Sequence, residues 1–394
     1  MSRAQPPRAV NPMCSSSSAA VTLLLLVLAG SAAALRPLPL EDSVLAAAAA
    51  SSAHAALSKK REDLNLRPLI GIVSQLGAPA PKGHSYIASS YVKLVESAGA
   101  RAVPIMCDMS KEEVKRRFKA VNGILIPGGA QNLRPGEPFF DVVSQLYDLA
   151  IEANDKGEYF PVYGICLGFE TLSIIASRNH SILSDFDSEN LPSPLFLTDA
   201  AVKSRFFGAL PHQVVEHLRT KPYAMENHAH GLAWTAVQEN PRVRELLDVL
   251  SLSVDRGGQV YVSTFEWRDY PIYGTQWHPE KNAFEWTPDK DIPHHPDAIE
   301  ITQEVANFFV SEARRNFHSP ASQSEEEDLL IYNYAPSYTG KHKYKGEEVD
   351  FVESYFFPVA KEAEVRLQRR KQERQQAQQA QQAQQVQPQA AAAH

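Results

Sequence analysis

The chain has 394 residues, of which 44% are hydrophobic and 22% charged, and its formal net charge at pH 7 is −7. This length and apolar content are sufficient for one large α/β domain whose core is stable without disulfides. The acidic balance, with no basic face in the central region, argues against nucleic acid as a partner.

The amino terminus has the three-part pattern of a secretory signal. Arg3 and Arg8 precede an apolar run at residues 21–28, and three alanines ending at Ala34 follow it. We therefore predict a signal peptide over residues 1–34, cleaved near Ala34. The apolar run is too short to span a bilayer comfortably, which argues against stable membrane insertion. An organellar transit peptide remains the alternative, because the segment is rich in Ser and Ala and poor in acids.

An Ala-rich leader or linker is predicted over residues 35–65, and a catalytic domain over residues 66–340. Short apolar strands alternate with amphipathic helices in the first part of this domain. This alternation predicts a mostly parallel central sheet flanked by helices on both faces, with functional groups at the carboxyl ends of the strands. The predicted elements are strand 67–73, helix 86–99, strand 102–106, helix 111–119 and strand 123–127.

A glycine pair, Gly128 and Gly129, follows the last of these strands. Backbone N–H groups at such a turn can approach a reacting carbonyl, and with the N–H of Leu167 they could stabilise an oxyanion. A Gly-Gly turn alone is more often only a turn. The adjoining loop carries Arg134, a candidate for binding a substrate carboxylate, although an exposed loop arginine is more often simply solvated.

The segment 161–170 reads Pro-Val-Tyr-Gly-Ile-Cys-Leu-Gly-Phe-Glu. An apolar strand ends at Cys166, Gly164 and Gly168 flank it, and helix-forming residues follow. This pattern predicts a strand, a sharp turn and a helix, with the thiol at the turn. A position at a helix amino end favours the thiolate and is expected to lower the pKa of the thiol. The alternative is an ordinary buried cysteine.

Two further patterns lie between residues 179 and 231. Asn179 begins an Asn-His-Ser acceptor sequence for N-glycosylation, which matters only if the chain enters the secretory pathway. Residues 225–231, Met-Glu-Asn-His-Ala-His-Gly, contain His228 and His230. A metal site is the competing interpretation of these histidines, but two histidines without nearby acids or thiols do not make one.

The segment 271–281 reads Pro-Ile-Tyr-Gly-Thr-Gln-Trp-His-Pro-Glu-Lys. A strand-like run ends near His278, and Glu280 follows two positions later. Residues two apart on an extended backbone point the same way. Glu280 is therefore expected to contact the His278 ring, fix its tautomer and support the imidazolium.

The carboxyl-terminal part contains a predicted helix at 299–316 and then a segment at 341–360 that wraps around the domain. An edge strand that includes Val349 and Phe351 is predicted in this segment. Residues 361–394 form a Gln/Ala-rich tract without an apolar stripe, which is expected to be disordered. Of the three cysteines, Cys14 leaves with the signal. We predict no disulfide between Cys107 and Cys166, because a nucleophile must stay free.

Several blocks in the same order resemble one family. They are residues 67–73, 86–104, 122–129, 159–170 and 270–281, and the similarity continues through 308–314 and the Ser-Glu-Glu-Glu segment to residues 331–332. Together they are similar to the gamma-glutamyl hydrolases, the plant form in particular, within the class I glutamine amidotransferase-like superfamily. The resemblance implies a flavodoxin-like α/β fold and a cysteine hydrolase that cleaves the γ-glutamyl bonds of folylpoly-γ-glutamates through a thioester. It also implies no cofactor, a vacuolar or extracellular location, and a possible homodimer.

Carried over residue by residue, the resemblance implies Cys166 as nucleophile, His278 as acid and base, Glu280 as its orienting partner, and the N–H groups of Gly129 and Leu167 as oxyanion donors. It further implies a substrate-binding histidine in the segment 225–231. Plant members tend to have Asn-His-His there, whereas this chain has Ala229 in place of the second histidine. The contact therefore remains open between His228 and His230.

Two other interpretations stay open. The first is another amide hydrolase or a glutamine amidotransferase of the same fold, although an ammonia-transferring member would need a synthase domain or partner that these 394 residues do not suggest. The second is a catalytically inactive binding protein on this fold. An inactive protein would not show fast, His-dependent reaction of Cys166 with thiol-directed electrophiles, whereas an enzyme would.

Overall fold

The structure is a computed structural model that describes residues 64–341, 343–344, 347–349 and 351–360. The predicted signal peptide, residues 35–63 of the predicted leader and the Gln/Ala-rich tract at 361–394 lie outside the described residues. Within the described ranges, no helix combines the length and the apolar character that crossing a membrane requires.

Sixteen strands are assigned in the described part of the chain. In chain order they are β1 Leu69–Val73, β2 Gln75–Leu76, β3 His84–Ala88, β4 Arg101–Ile105, β5 Gly123–Ile126, β6 Val162–Ile165, β7 Leu183–Ser193, β8 Phe196–Leu197, β9 Ala224–Leu232, β10 Leu247–Val254, β11 Val260–Trp267, β12 Ile272–Thr275, β13 Ser337–Tyr338, β14 Lys343–Tyr344, β15 Glu347–Glu348 and β16 Glu353–Pro358.

The α-helices of the same ranges number eleven, and two 3-10 turns at Asp199–Lys203 and Ile331–Asn333 accompany them. The helices are α1 Ser89–Ser97, α2 Lys111–Phe118, α3 Pro138–Asp155, α4 Leu167–Ser177, α5 Arg205–Ala209, α6 His212–Thr220, α7 Trp234–Glu239, α8 Pro241–Leu246, α9 Lys281–Phe284, α10 Pro296–Ala313 and α11 Gln323–Leu329.

The central sheet has eight strands in the order β4-β1-β5-β6-β12-β11-β10-β8. The first five are parallel to their neighbours, and the last three extend the sheet in antiparallel pairs. Because β5, β6 and β12 are adjacent and parallel, the segments that follow them emerge at one edge. The predicted mostly parallel sheet is therefore confirmed.

Side chains on alternate positions of β1 enter two separate cores. Ile70 and Ile72 pack in one cluster with α1 and α10, whereas Leu69 and Val73 pack in the other with α2, α3 and α4. All four side chains are buried. Alternation with a period of two on a strand requires a packed layer on each side. Helices cover both faces, as the sequence predicted.

A second, four-stranded sheet has the order β13-β16-β3-β2 and corrects two local predictions. The helix predicted from residue 86 begins at Ser89, because residues 84–88 form β3 and pair with β16. The predicted edge strand containing Val349 and Phe351 is also displaced, since β16 begins at Glu353. Local periodicity could not anticipate either shift, because the pairing joins segments far apart in sequence.

Candidate active site

Cys166 lies at a sharp turn between β6 and α4. Its backbone has φ +50° and ψ −103°, a left-handed conformation that side chains rarely adopt. The turn is held because the Cys166 N–H donates to the carbonyl oxygen of Thr275 at 2.8 Å. A Cβ atom on Gly168 would lie 2.2 Å from the Ile126 carbonyl oxygen, and one on Gly164 would lie 2.7 Å from the Gly168 backbone. The crowding explains why glycines flank the cysteine.

The surroundings of Cys166 act against a resting thiolate. The residue is only 5% exposed. Burial raises the pKa of the Cys166 thiol well above its ordinary value, and the carboxylates of Glu170 and Glu280 raise it further, whereas Lys281 lowers it. The sequence-based expectation of a lowered thiol pKa from the helix amino end is therefore wrong in direction. A neutral thiol at this position needs a base to accept its proton.

His278 and Glu280 form a buried pair beside this turn. The Nδ1 atom of His278 lies 2.7 Å from the Glu280 Oε1 atom, and both residues are buried. The His278 backbone N–H donates to the Met225 carbonyl oxygen at 2.9 Å, which fixes the segment. Glu280 accepts the Nδ1 proton, so the lone pair of Nε2 is available as a base. Among the described residues, Nε2 has no hydrogen-bond partner.

The expected reason for this contact was wrong, although the contact itself is present. Strand β12 ends at Thr275, and Glu280 has helical backbone angles, φ −71° and ψ −26°, at the cap of α9. Glu280 therefore reaches the imidazole from the start of a helical turn and not along an extended strand.

Gly128 lies against the side chains of both Cys166 and His278. An ideal Cβ atom on Gly128 would lie 2.7 Å from the His278 Cε1 atom and 3.1 Å from the Cys166 Cβ atom. The two side chains therefore approach the same small volume above the end of β5. A side chain at position 128 would crowd both residues, which accounts for a glycine there.

The expected oxyanion donors lie at the same edge of the sheet. Neither the N–H of Gly129 nor that of Leu167 has a backbone or side-chain acceptor among the described residues. Leu167 is the first residue of α4, where N–H groups lack intrahelical acceptors. Gly129 has φ +156°, a backbone conformation that L side chains rarely adopt, and a Cβ atom there would lie 1.9 Å from the Gln75 Oε1 atom.

Two residues that sequence reasoning did not assign to the site hold the glycine turn. The Tyr91 hydroxyl accepts a hydrogen bond from the Gly128 N–H at 2.9 Å, and the Gln75 Nε2 atom donates to the Gly128 carbonyl oxygen at 2.6 Å. Tyr91 belongs to the buried stripe of α1, so its spacing predicted only a core position. Gln75 lies two residues after the end of β1, a position that could have indicated a site residue.

A cleft of about 1210 Å³ opens above Cys166. Tyr86, Val349 and Phe351 line one part of it, while residues from the two-stranded antiparallel sheet of β7 and β9 and from the loop after Gly129 line much of the rest. Arg134 and His230 lie on its exposed rim. The exposed Asn179 of the acceptor sequence precedes a cleft-lining residue, His180.

Of the two candidate histidines, His228 is the buried one. Its Nδ1 atom lies 2.9 Å from the His230 carbonyl oxygen, and its Nε2 atom lies 3.2 Å from the Glu226 Oε2 atom. The His230 side chain instead pairs with Asp185 at 2.9 Å and is exposed. The described residues contain no group of three or more His, Cys, Asp or Glu side chains arranged to hold a metal ion. Both Cys107 and Cys166 are free thiols.

Two buried carboxyl groups predict that the fold is more stable in mild acid than at neutral pH. Burial raises the pKa of Glu170 to about 7 and that of Glu285 to about 7, from 4.5. The folded protein thus holds these protons where the unfolded chain loses them. Each group is therefore expected to lower the free energy of unfolding by about 2.5 kcal/mol as pH rises from about 5 to about 8, and the two together by up to about 5 kcal/mol. Urea denaturation at several pH values measures it.

The matched variants for this prediction are Glu285→Gln and Glu216→Gln. The first removes a buried titratable group and should flatten the pH dependence of unfolding. The second removes an exposed carboxylate whose pKa is lowered by the Arg219 side chain, and should leave the slope above pH 5 unchanged. A Glu285→Gln slope equal to that of the wild type would contradict the assignment.

A cysteine at a sharp turn after one central strand, a buried histidine and glutamate pair after the neighbouring strand, and a glycine turn after a third strand lie at one edge of a mostly parallel α/β sheet. This arrangement is suited to a hydrolase with a cysteine nucleophile.

Comparison with known proteins identifies the family within this class. The Peptidase C26 family matches residues 68–280. The chain is 40% identical over 297 residues to gamma-glutamyl hydrolase 1 of Arabidopsis thaliana, covering 74% of this chain and 83% of that protein. It is 39% identical over 300 residues to gamma-glutamyl hydrolase of Homo sapiens, covering 75% and 93%, and 38% identical over 284 residues to that of Glycine max, covering 70% and 82%. The chain belongs to the Peptidase C26 family of gamma-glutamyl hydrolases.

Proposed function

We propose that this protein hydrolyses the γ-glutamyl amide bonds of folylpoly-γ-glutamates and related poly-γ-glutamates, with Cys166 as the nucleophile. The observation that carries the proposal is the approach of Cys166 and His278 to the same volume at Gly128. The family membership supports the γ-glutamyl linkage as the bond that is cleaved.

The reaction follows from the protonation states of the site. His278 Nε2 takes the thiol proton while the Cys166 sulfur forms a bond to the γ-carbonyl carbon, and the carbonyl oxygen becomes an oxyanion. The N–H groups of Gly129 and Leu167 stabilise that charge. The C–N bond then breaks as His278 returns the proton to the leaving amine. Water, deprotonated by the same imidazole, attacks the thioester, which releases a γ-carboxylate and restores the thiol. No step requires a cofactor.

Substrate binding is assigned to the polar residues of the cleft. The buried position of His228 beside Glu226 favours this histidine over His230 as the contact nearest to the nucleophile. His230 and Arg134, both on the rim, are proposed to meet the carboxylates of more distant glutamates in the chain.

A direct experiment compares γ-linked with α-linked oligoglutamates on a pteroyl group. The proposed function predicts release of shorter pteroyl-γ-glutamates and free glutamate or glutamyl chains from the γ-linked substrate only. Product chain length, resolved by chromatography over time, also separates terminal from internal cleavage. Equal hydrolysis of both linkages would instead favour a general amide hydrolase, and no hydrolysis would favour an inactive binding protein.

Replacement of Glu280 by Gln is expected to lower kcat by about 100-fold to 10,000-fold. The amide keeps the size of the side chain, but it can present its NH₂ group to Nδ1 and favour the wrong imidazole tautomer, and it no longer supports the imidazolium. Steady-state kinetics on a γ-linked substrate measure the effect, with Glu158→Gln as the matched control, because Glu158 pairs with His318 at 3.0 Å outside the cleft. Equal losses in the two variants would contradict the assigned role of Glu280.

The remaining proposals concern the whole chain. We propose that residues 66–340 form the catalytic domain, preceded by a signal peptide at 1–34 and a leader at 35–65. We also propose that the protein enters the secretory pathway, is glycosylated at Asn179, and is delivered to the vacuole, the extracellular space or both. A homodimer is expected from the resemblance, and the molar mass in solution tests it.

A further inference from the structure

Lys281 is a buried lysine in the wall of the active-site cleft. The residue directly follows Glu280, is 2% exposed and lines the cleft above Cys166. Among the described residues, its Nζ atom has no hydrogen-bond acceptor and no carboxylate oxygen within 4.0 Å. The Nζ atom lies over the ring of Phe351, 5.2 Å from the ring centroid.

A buried ammonium group is costly unless a negative charge or hydrogen-bond acceptors compensate for the lost water. The aromatic face of Phe351 compensates only in part. Lys281 is close enough to Cys166 for its charge to act on the thiol. Burial raises the pKa of the thiol, and the charge of Lys281 opposes this effect in part. Lys281 also lowers the pKa of the Glu285 carboxyl group, but burial raises that pKa to about 7, so the carboxylate is only partly formed at neutral pH. The cleft therefore contains a partly compensated cation close to the reacting sulfur.

We propose that Lys281 binds a carboxylate of the substrate next to the scissile carbonyl. The assignment to the α-carboxylate of the γ-linked glutamate rests on the proposed function. A carboxylate at this point would replace the lost hydration of the ammonium, and the low exposure would strengthen the attraction. Arg134 lies on the exposed rim, where a charge contributes less.

The C-terminal strap, defined as the described residues between 337 and 360, positions Lys281. Phe351 supplies the ring beside Nζ. The next residue, Val352, donates its N–H to the Glu285 Oε2 atom at 2.8 Å, which ties the strap to the segment that follows Lys281. The strap then continues as β16, which pairs with β3. Phe351 is therefore a positioning residue that acts through Lys281.

The experiment compares the alkylation of Cys166 by iodoacetate and by iodoacetamide. Both reagents form the same sulfur–carbon bond and release iodide, and both need the same thiolate. The ratio of their rate constants is therefore independent of any change in the pKa of the thiol. Only iodoacetate carries a carboxylate, so this ratio reports the anion site. It does so without any γ-glutamyl substrate.

Lys281→Met is expected to lower the iodoacetate to iodoacetamide ratio by about tenfold. Lys281→Arg should keep a ratio near that of the wild type, because it retains the charge. Phe351→Leu should give an intermediate ratio. Lys156→Met is the matched control, since it removes one exposed ammonium paired with Glu152 far from the cleft wall, and it should have the wild-type ratio.

An unchanged ratio in Lys281→Met would overturn the anion site, and an unchanged ratio in Phe351→Leu would overturn the positioning role of the strap. Thermal unfolding of each variant verifies the fold, and Lys281→Gln, which also removes the charge and should lower the ratio, provides the test if Lys281→Met does not fold. With a γ-linked substrate, Lys281→Met should raise KM more than it lowers kcat. If Lys281→Met lowers the ratio as expected but the wild type cleaves no γ-glutamyl bond, the proposed function fails while the anion site stands.

Discussion

Cys166→Ala is expected to lower kcat on a γ-linked substrate by at least about 1,000-fold, because no other described side chain at the turn can form the thioester. The fold should survive the change. The sulfur makes a single recorded hydrogen-bond contact, 3.9 Å to the Asn227 carbonyl oxygen, and the strained turn is held by backbone contacts instead. Initial rates, with thermal unfolding of the same preparations, measure both parts of the prediction.

The chain offers a matched control in its other described thiol, Cys107. This residue is also buried, and burial raises the pKa of its thiol to about 12. Cys107 lies outside the cleft, so Cys107→Ala should retain hydrolysis and its alkylation pattern should match that of the wild type. Hydrolysis by Cys166→Ala at the rate of Cys107→Ala would exclude the proposed nucleophile.

His278→Gln is expected to lower kcat by about 1,000-fold or more at neutral pH, because the neutral thiol then has no base. The raised pKa of the Cys166 thiol also predicts how the alkylation rate of this variant changes with pH. Without the imidazole, the thiolate forms only as pH approaches the raised pKa, so alkylation by iodoacetamide should be slow at pH 7 and recover as pH rises. The wild type should depend less steeply on pH over this range. Rates of alkylation by iodoacetamide, measured for both proteins between pH 6 and 10, test this prediction.

His318→Gln is the matched control for this variant. His318 also pairs with a carboxylate, Glu158, at 3.0 Å, but it lies away from the cleft. The His318→Gln variant should retain the wild-type rate of alkylation and its pH dependence. If His278→Gln followed the wild-type pH profile, another group would be the base and the proposed pairing of thiol and imidazole would be incorrect.

Much of the site could be predicted from sequence because its parts follow local rules. Glycines on both sides of Cys166 between a strand and a helix predicted the turn, and the turn is present with the crowding that requires them. Helix α4 begins at Leu167, directly after Cys166 as predicted, and Gly128 and Gly129 do follow a central strand. Parallel strands that end at one edge bring such segments together, so the sequence also indicated where the functional groups would lie.

The sequence by itself determined the alternation of strands and helices, the elbow at Cys166 and the residue types of the chemistry, because these depend on neighbours within a few positions. The tertiary structure decided which distant groups meet. It brought Gln75 and Tyr91 to the glycine turn, placed Phe351 beside Lys281, and buried Cys166 deeply enough to reverse the expected direction of its pKa shift. Burial and electrostatic surroundings depend on contacts between segments remote in sequence, and local patterns carry no measure of them.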